Sequence, residues 1–161
     1  MVKNWANSYR REFNEEPIDV GLEQLEKKKR KLLEEIKAMI SDELMKVKHI
    51  KGLGPRLLAG LLAYAHPCRF PNVGRFLYYC GYTKASKITN RYNRKVAGLV
   101  YQITKSLIQH KNEKYYGLYI KIKSEQPSSF LPIKKHRIAM NRVGTLFLKD
   151  FYHIFKEPQK C

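Results

Sequence analysis

An all-α fold is predicted for this 161-residue chain by three observations. Apolar residues recur at three- and four-residue steps over most of its length, and alternating strand-like runs are nearly absent. Glycine, proline and asparagine fall between the periodic runs, where helices start and stop. A hydrophobic fraction of 43% is enough to bury a core.

The charge is distributed unevenly. Residues 1–43 carry 9 Lys/Arg against 10 Asp/Glu, whereas residues 44–161 carry 23 against 4, for a formal net charge of +18. Between Leu44 and Asn112 there are 13 Lys/Arg and no carboxylate. A one-sign field repels itself, so an anionic partner is expected, nucleic acid ahead of an anionic membrane. No run of about 18 apolar residues and no apolar leader is present, so neither a membrane span nor a secretory signal is expected. Cys68, Cys80 and Cys161 are odd in number and lack CxxC spacing, and the five histidines show no metal-ligand spacing. Zinc, a disulfide framework and a cofactor are therefore not expected. A reducing, cytoplasmic setting is.

In chain order, Trp5, Tyr9 and Phe13 are spaced four apart and form one stripe if helical. Over 18–48 the spacing predicts a long helix, with Leu22, Leu25, Leu32, Ile36 and Met39 at heptad-like steps and Lys29 interrupting them. Glu23 to Lys27 and Glu26 to Arg30 add i,i+4 pairs. Residues 1–45 are thus expected to be an arm and coiled-coil helix, pairing two copies through residues 18–45, with a second domain over 46–161.

That second domain opens on Ile50-Lys51-Gly52-Leu53-Gly54-Pro55-Arg56, followed by an apolar run to Ala63. The pattern reads as a helix end, a Gly-apolar-Gly hairpin and a new helix with Pro55 in its first turn. Glycines allow positive φ and close approach, and the opening turn of a helix leaves amides free for a phosphate. Lys51 and Arg56 add charge on either side. A helix-hairpin-helix of this kind holds nucleic-acid backbone without reading sequence; the plainer alternative is a C-cap glycine before a core helix. The helix from Pro55 stops at His66-Pro67, and Phe70–Gly81 reads as a turn and a short helix ending at a C′ glycine. A loop is expected over Tyr82–Lys87, then a helix over 88–111 with Arg91, Arg94 and Lys95 at its start. Further helices are expected over 113–124 and about 133–156, joined by a Ser/Pro linker. Tyrosines at 78–79, 92 and 115–119 suit core packing better than base stacking, Tyr92 excepted because it lies among Arg91, Asn93 and Arg94.

Several of these blocks together resemble the C-terminal transposase-20 domain of DEDD-type, bridge-RNA-guided insertion-sequence transposases, over roughly residues 46–156. Ile50-Lys51-Gly52-Leu53-Gly54-Pro55 is similar to that family's I-P-G-I-G-P hairpin. Arg69-Phe70-Pro71-Asn72 through Tyr79-Cys80-Gly81-Tyr82 resembles its R-F-P-S…Y-A-G-L block, and Ile88-Thr89-Asn90-Arg91-Tyr92-Asn93-Arg94-Lys95 its I-S-K-R-G-N-R-R block. Tyr115-Tyr116 and Lys134-Lys135-His136-Arg137-Ile138-Ala139 resemble the tail, and the coil before these blocks resembles the family's dimerising coil.

The resemblance implies DNA binding, structured RNA as a second partner, and a catalytic serine between the second and third blocks. Here that stretch is Thr83-Lys84-Ala85-Ser86-Lys87, without the family's glycines, so Ser86 is a weak nucleophile candidate and Thr83 a chemical substitute. The acidic nuclease half of the family has no counterpart in these residues, and no metal site is expected. The reading is a stand-alone, degenerate relative that binds DNA through Lys51, Gly52, Leu53, Gly54 and Arg56, with Lys87, Arg91, Asn93, Arg94 and Lys95 as a second group, associated with the nucleoid when bound. Two alternatives stay open: a strand-transfer enzyme using Ser86 or Tyr92, and an RNA-binding or structural partner.

Overall fold

The computed structural model describes residues 20–89 and 91–156, and among them every regular element is helical. Trp5, Tyr9 and Phe13 lie outside the described residues. The chain divides into one unit that ends at Met39 and another that begins at Ile40.

In the first unit, α1 (Val20–Met39) has Glu23 in its first turn and Lys37 in its last, the order the helix dipole favours. Glu23 and Lys27 pair at 3.3 Å, an exposed i,i+4 contact of about 0.3 kcal/mol. Leu25, Leu32 and Met39 are exposed. The helix expected to run to residue 48 stops early, because Ile40 leaves helical geometry at φ −118° and ψ 27°. α2 (Ser41–Lys46) then restarts with Asp42 and Glu43 in its first turn. Burial accounts for the break: Ile40 and Leu44 pack against the core of the second unit and Val47 lies inside it. The heptad pattern therefore gives way where the chain joins that core.

The second unit continues with α3 (Pro55–Ala65), a 3-10 turn (Pro67–Arg69), α4 (Val73–Tyr79), α5 (Lys84–Thr89), α6 (Arg94–Gln109), α7 (Glu113–Ser124) and α8 (Pro132–Phe155). α8 is the central element, packing along α7 and against α6 and α4. Its buried residues, Ala139, Met140, Val143, Phe147, Leu148, Phe151 and Phe155, follow three- and four-residue steps. Phe151 stacks on Phe76 of α4 at 6.4 Å and meets Phe147 at 5.8 Å. Burying each of these rings contributes about 2–3 kcal/mol.

Local chemistry sets the boundaries. α4 ends in a Schellman motif: Gly81 has φ +79°, its N–H donates to the Tyr78 carbonyl, and the Tyr82 N–H donates to the Leu77 carbonyl. The loop expected over Tyr82–Lys87 instead contains α5, because Thr83 and Ser86 cap its first turn reciprocally. The Ser86 N–H donates to Thr83 Oγ1 at 3.0 Å and the Thr83 N–H to Ser86 Oγ at 3.2 Å. The helix expected over 88–111 starts only at Arg94, after Asn93 resets the cap. Cys68 is disulfide-bonded, while Cys80 is a free buried thiol. Cysteine count and spacing, which speak against a disulfide framework, are blind to a single bond made by proximity in the fold. Among the described residues no helix is long and apolar enough to cross a membrane.

Candidate nucleic-acid interface

The turn between α2 and α3 is anchored by Ile50 and Leu53, both buried. Leu53, one of the expected DNA-binding positions, thus points its side chain into the core and serves the turn as an anchor. Gly52 has φ +98°, and a Cβ there would lie 3.0 Å from the Ser106 carbonyl oxygen, so both conformation and space require glycine. The Leu53 N–H closes the turn on the Ile50 carbonyl at 3.1 Å. Two side chains from the α6–α7 region then hold the outer carbonyls: Asn112 Nδ2 donates to Lys51 at 3.1 Å, and the Ser106 hydroxyl donates to Gly52 at 2.7 Å. His110 backs Ser106, its Nδ1 2.8 Å from the Ser106 carbonyl.

With its carbonyls held inward, the turn leaves its donors unclaimed. Among the described residues the amides of Gly52, Gly54 and Arg56 have no protein acceptor. Gly54 is the N-cap of α3, and no atom lies within 4 Å of where its Cβ would stand. Lys51 and Arg56 are exposed beside it. Such an arrangement leaves backbone N–H groups without protein partners between two exposed cations, which suits a phosphate oxygen.

The second group is organised otherwise. Asn93 is consumed by the fold: its Oδ1 caps the Val96 N–H at 3.2 Å, and its Nδ2 donates to the Tyr79 hydroxyl at 2.8 Å. The Tyr92 ring packs over Gly81, where a Cβ would come within 2.6 Å of it. Arg91, Arg94 and Lys95 remain exposed, and the first turn of α6 contains no acid. The Lys87 side chain lies outside the described residues. Ser86 is fully buried, and its hydroxyl donates to the Thr83 carbonyl at 2.9 Å while accepting from the Thr83 amide. Both of its roles are filled within the α5 cap, which leaves no access for a substrate.

The fold keeps the two groups apart. Gly52 meets Ser106 and Leu107 near the end of α6, whereas Gly60 meets Leu99 nearer its start, so α3 and α6 run antiparallel. Twelve residues separate Arg94 from Ser106, or about 18 Å at 1.5 Å per residue. A single phosphate cannot touch both. Two phosphates of one bound duplex could.

Beside the turn lies a cleft of about 980 Å³ lined by His49, Lys51, Lys111, Lys114 and His153, with Asp150 at its wall. Lys114 pairs with Asp150 at 2.7 Å, and the Tyr115 hydroxyl donates to the same oxygen at 2.8 Å. Burial, with the adjoining carboxylate, pushes the Tyr115 hydroxyl well above its ordinary range, so it stays a donor. Burial also pushes the Cys80 thiol up to about 12, which removes it as a nucleophile at neutral pH. Among the described residues no three His, Cys, Asp or Glu side chains come together as a metal site.

Ser106 and Asn112 hold this turn and Lys111 lines the cleft beside it, and none of the three was expected from the sequence. Asn112 signals a helix start, but nothing local links Ser106 to a turn 54 residues away. No protein family, curated protein or solved structure matches the chain.

Proposed function

We propose that the chain binds DNA through its phosphate backbone, at the Gly52–Gly54 turn and at the exposed cations opening α6, without catalysing a reaction on it. The observation that carries this reading is the turn itself, where Ser106 and Asn112 hold the Gly52 and Lys51 carbonyls while the amides of Gly52, Gly54 and Arg56 have no protein acceptor among the described residues. The stretch from Leu44 to Asn112 that carries both groups contains no carboxylate, and Glu113 and Asp150 in the cleft beside the turn lie outside it. The sequence resemblance to the transposase-20 domain supports the same reading, with the turn as a helix-hairpin-helix. The enzymatic alternative has little to draw on: Ser86 is buried in a helix cap and Tyr92 is packed on Gly81. On this reading α1 pairs two copies, supported by the exposure of Leu25, Leu32 and Met39 along a heptad-like stripe.

Salt dependence tests both parts. Five cationic phosphate contacts, from Lys51, Arg56, Arg91, Arg94 and Lys95, give a slope of log K against log salt of about −4.5, and a paired molecule about −9. Leu25→Glu with Leu32→Glu should then halve the slope by separating the copies. Gly54→Asp, which sets a carboxylate among the free amides in open space, should weaken duplex binding about tenfold or more through charge repulsion. A flat salt response, or duplex binding indifferent to Gly54→Asp, would sink the proposal.

A further inference from the structure

A second cavity, of about 650 Å³, lies between α6 and the start of α8. Its size falls within the range of small-molecule pockets. Tyr82 and Met140 line it, joined by Tyr101, His136, Arg137 and Asn141.

Tyr82 is fixed in place. Its ring lies where a Cβ on Gly144 would approach to 2.5 Å. Met140 is 5% exposed, so the cavity has a rigid, apolar floor. Tyr101 behaves differently: it is 50% exposed although its neighbours Val100, Ile103 and Thr104 are buried. Arg137 and Asn141 are one helical turn apart on α8, on one face and exposed. Among the described residues no carboxylate pairs with Arg137, and the Asn141 side-chain amide makes no hydrogen bond. His136 uses Nδ1 on the Tyr119 hydroxyl at 2.8 Å, which leaves Nε2 for another partner.

We infer that this cavity receives one unpaired nucleobase of a bound DNA strand, with Tyr101 as its stacking surface. A planar aromatic ring suits the Tyr101 face and the apolar floor. A base edge carries adjacent donors and acceptors that match the Asn141 amide, and its phosphate suits Arg137. An aliphatic ligand would draw no binding from the amide and the guanidinium, and a paired base cannot enter because both of its faces are stacked. The inference rests on the proposed DNA binding and adds a preference for DNA containing an unpaired base.

The test compares a fully paired duplex with the same duplex carrying one unpaired 2-aminopurine, using the full chain. The bulged duplex should bind about tenfold more tightly, with quenched 2-aminopurine emission. Tyr101→Ala should erase both differences while leaving affinity for the paired duplex and the helical circular dichroism unchanged. Tyr101→Phe should retain them, since stacking needs only the ring. Equal binding of the two duplexes without quenching, or full preference surviving in Tyr101→Ala, overturns the base pocket while leaving duplex binding intact. Failure to bind either duplex overturns the proposed function and the pocket together.

Discussion

At the Gly52–Gly54 end of the α3–α6 pair, side chains from a distant part of the chain hold the backbone, whereas at the Arg91–Lys95 end the neighbouring residues hold one another. Ser106 and Asn112 take the carbonyls of Gly52 and Lys51, so that end offers oriented amides as well as charge. At the other end Asn93 and Tyr92 are spent on Tyr79 and Gly81, and only the long side chains of Arg91, Arg94 and Lys95 face outward. Clusters that look alike in sequence therefore differ in order. Fixed backbone donors lose little freedom when a phosphate arrives, while long cations lose side-chain entropy of up to about 2 kcal/mol each.

The sharpest way to break this comparison is through the two glycines of the turn. Gly52→Ala forces a side chain into φ +98° and brings its Cβ within 3.0 Å of a carbonyl oxygen on α6. It should cost about 2 kcal/mol or more of stability in urea denaturation. Gly54→Ala sits at φ −77° and ψ 161° in open space, so its stability should stay within about 0.5 kcal/mol of the parent. If the two variants unfold alike, Gly52 is not braced against α6 and the account of the turn is wrong.

That pair also shows how far the sequence could be read. The turn, Pro55 at the head of α3 and Gly81 at the end of α4 are local signals, fixed by residues within a few positions of one another. The reason for Gly52 is not local, because its neighbour Ser106 lies 54 residues on. Thr83 and Ser86 do carry a capping pattern, but a stretch with no apolar periodicity reads as a loop, and the resemblance drew attention to the Ser86 hydroxyl as a nucleophile. At Ile40 the sequence carries no proline or glycine to mark a stop, and packing on the core ends the helix. Tyr101 gave no signal, since a tyrosine at helical spacing looks the same whether it is buried or lines a cavity.

A smaller effect separates the ends through their hydrogen bonds. Ser106→Ala with Asn112→Ala removes the two donors that hold the carbonyls, at about 1 kcal/mol each for stability. Because the charges are untouched, duplex affinity should fall severalfold while the salt slope stays near its parent value. Arg91→Ala with Arg94→Ala should do the converse, lowering the slope by about 1.8 per copy with stability unchanged. A steep loss of slope in the Ser106 and Asn112 variant would mean that the turn, too, acts by charge alone.

The smallest expected effect is a pH response at the α6-opening end, where α3 finishes. His66 caps the 3-10 turn by accepting the Cys68 N–H on Nδ1, which requires a ring nitrogen without a proton. Burial holds its pKa below the ordinary value of 6.5, with the nearby Arg69 charge acting in the same direction. The unfolded chain therefore takes up this proton at higher pH than the folded one. The associated stability is fully present above pH 6.5 and is lost as pH falls from there through the folded-state value. Amide hydrogen exchange at Cys68–Phe70, corrected for intrinsic rates, should thus lose protection as pH falls below 6.5. Leu53 in the turn should keep its protection over the same interval, because its N–H is held by the Ile50 carbonyl, which does not titrate. His66→Asn, whose amide oxygen can still cap, should flatten the response at Cys68–Phe70. Equal loss of protection at both places would show that acid acts on the whole core and not on this cap.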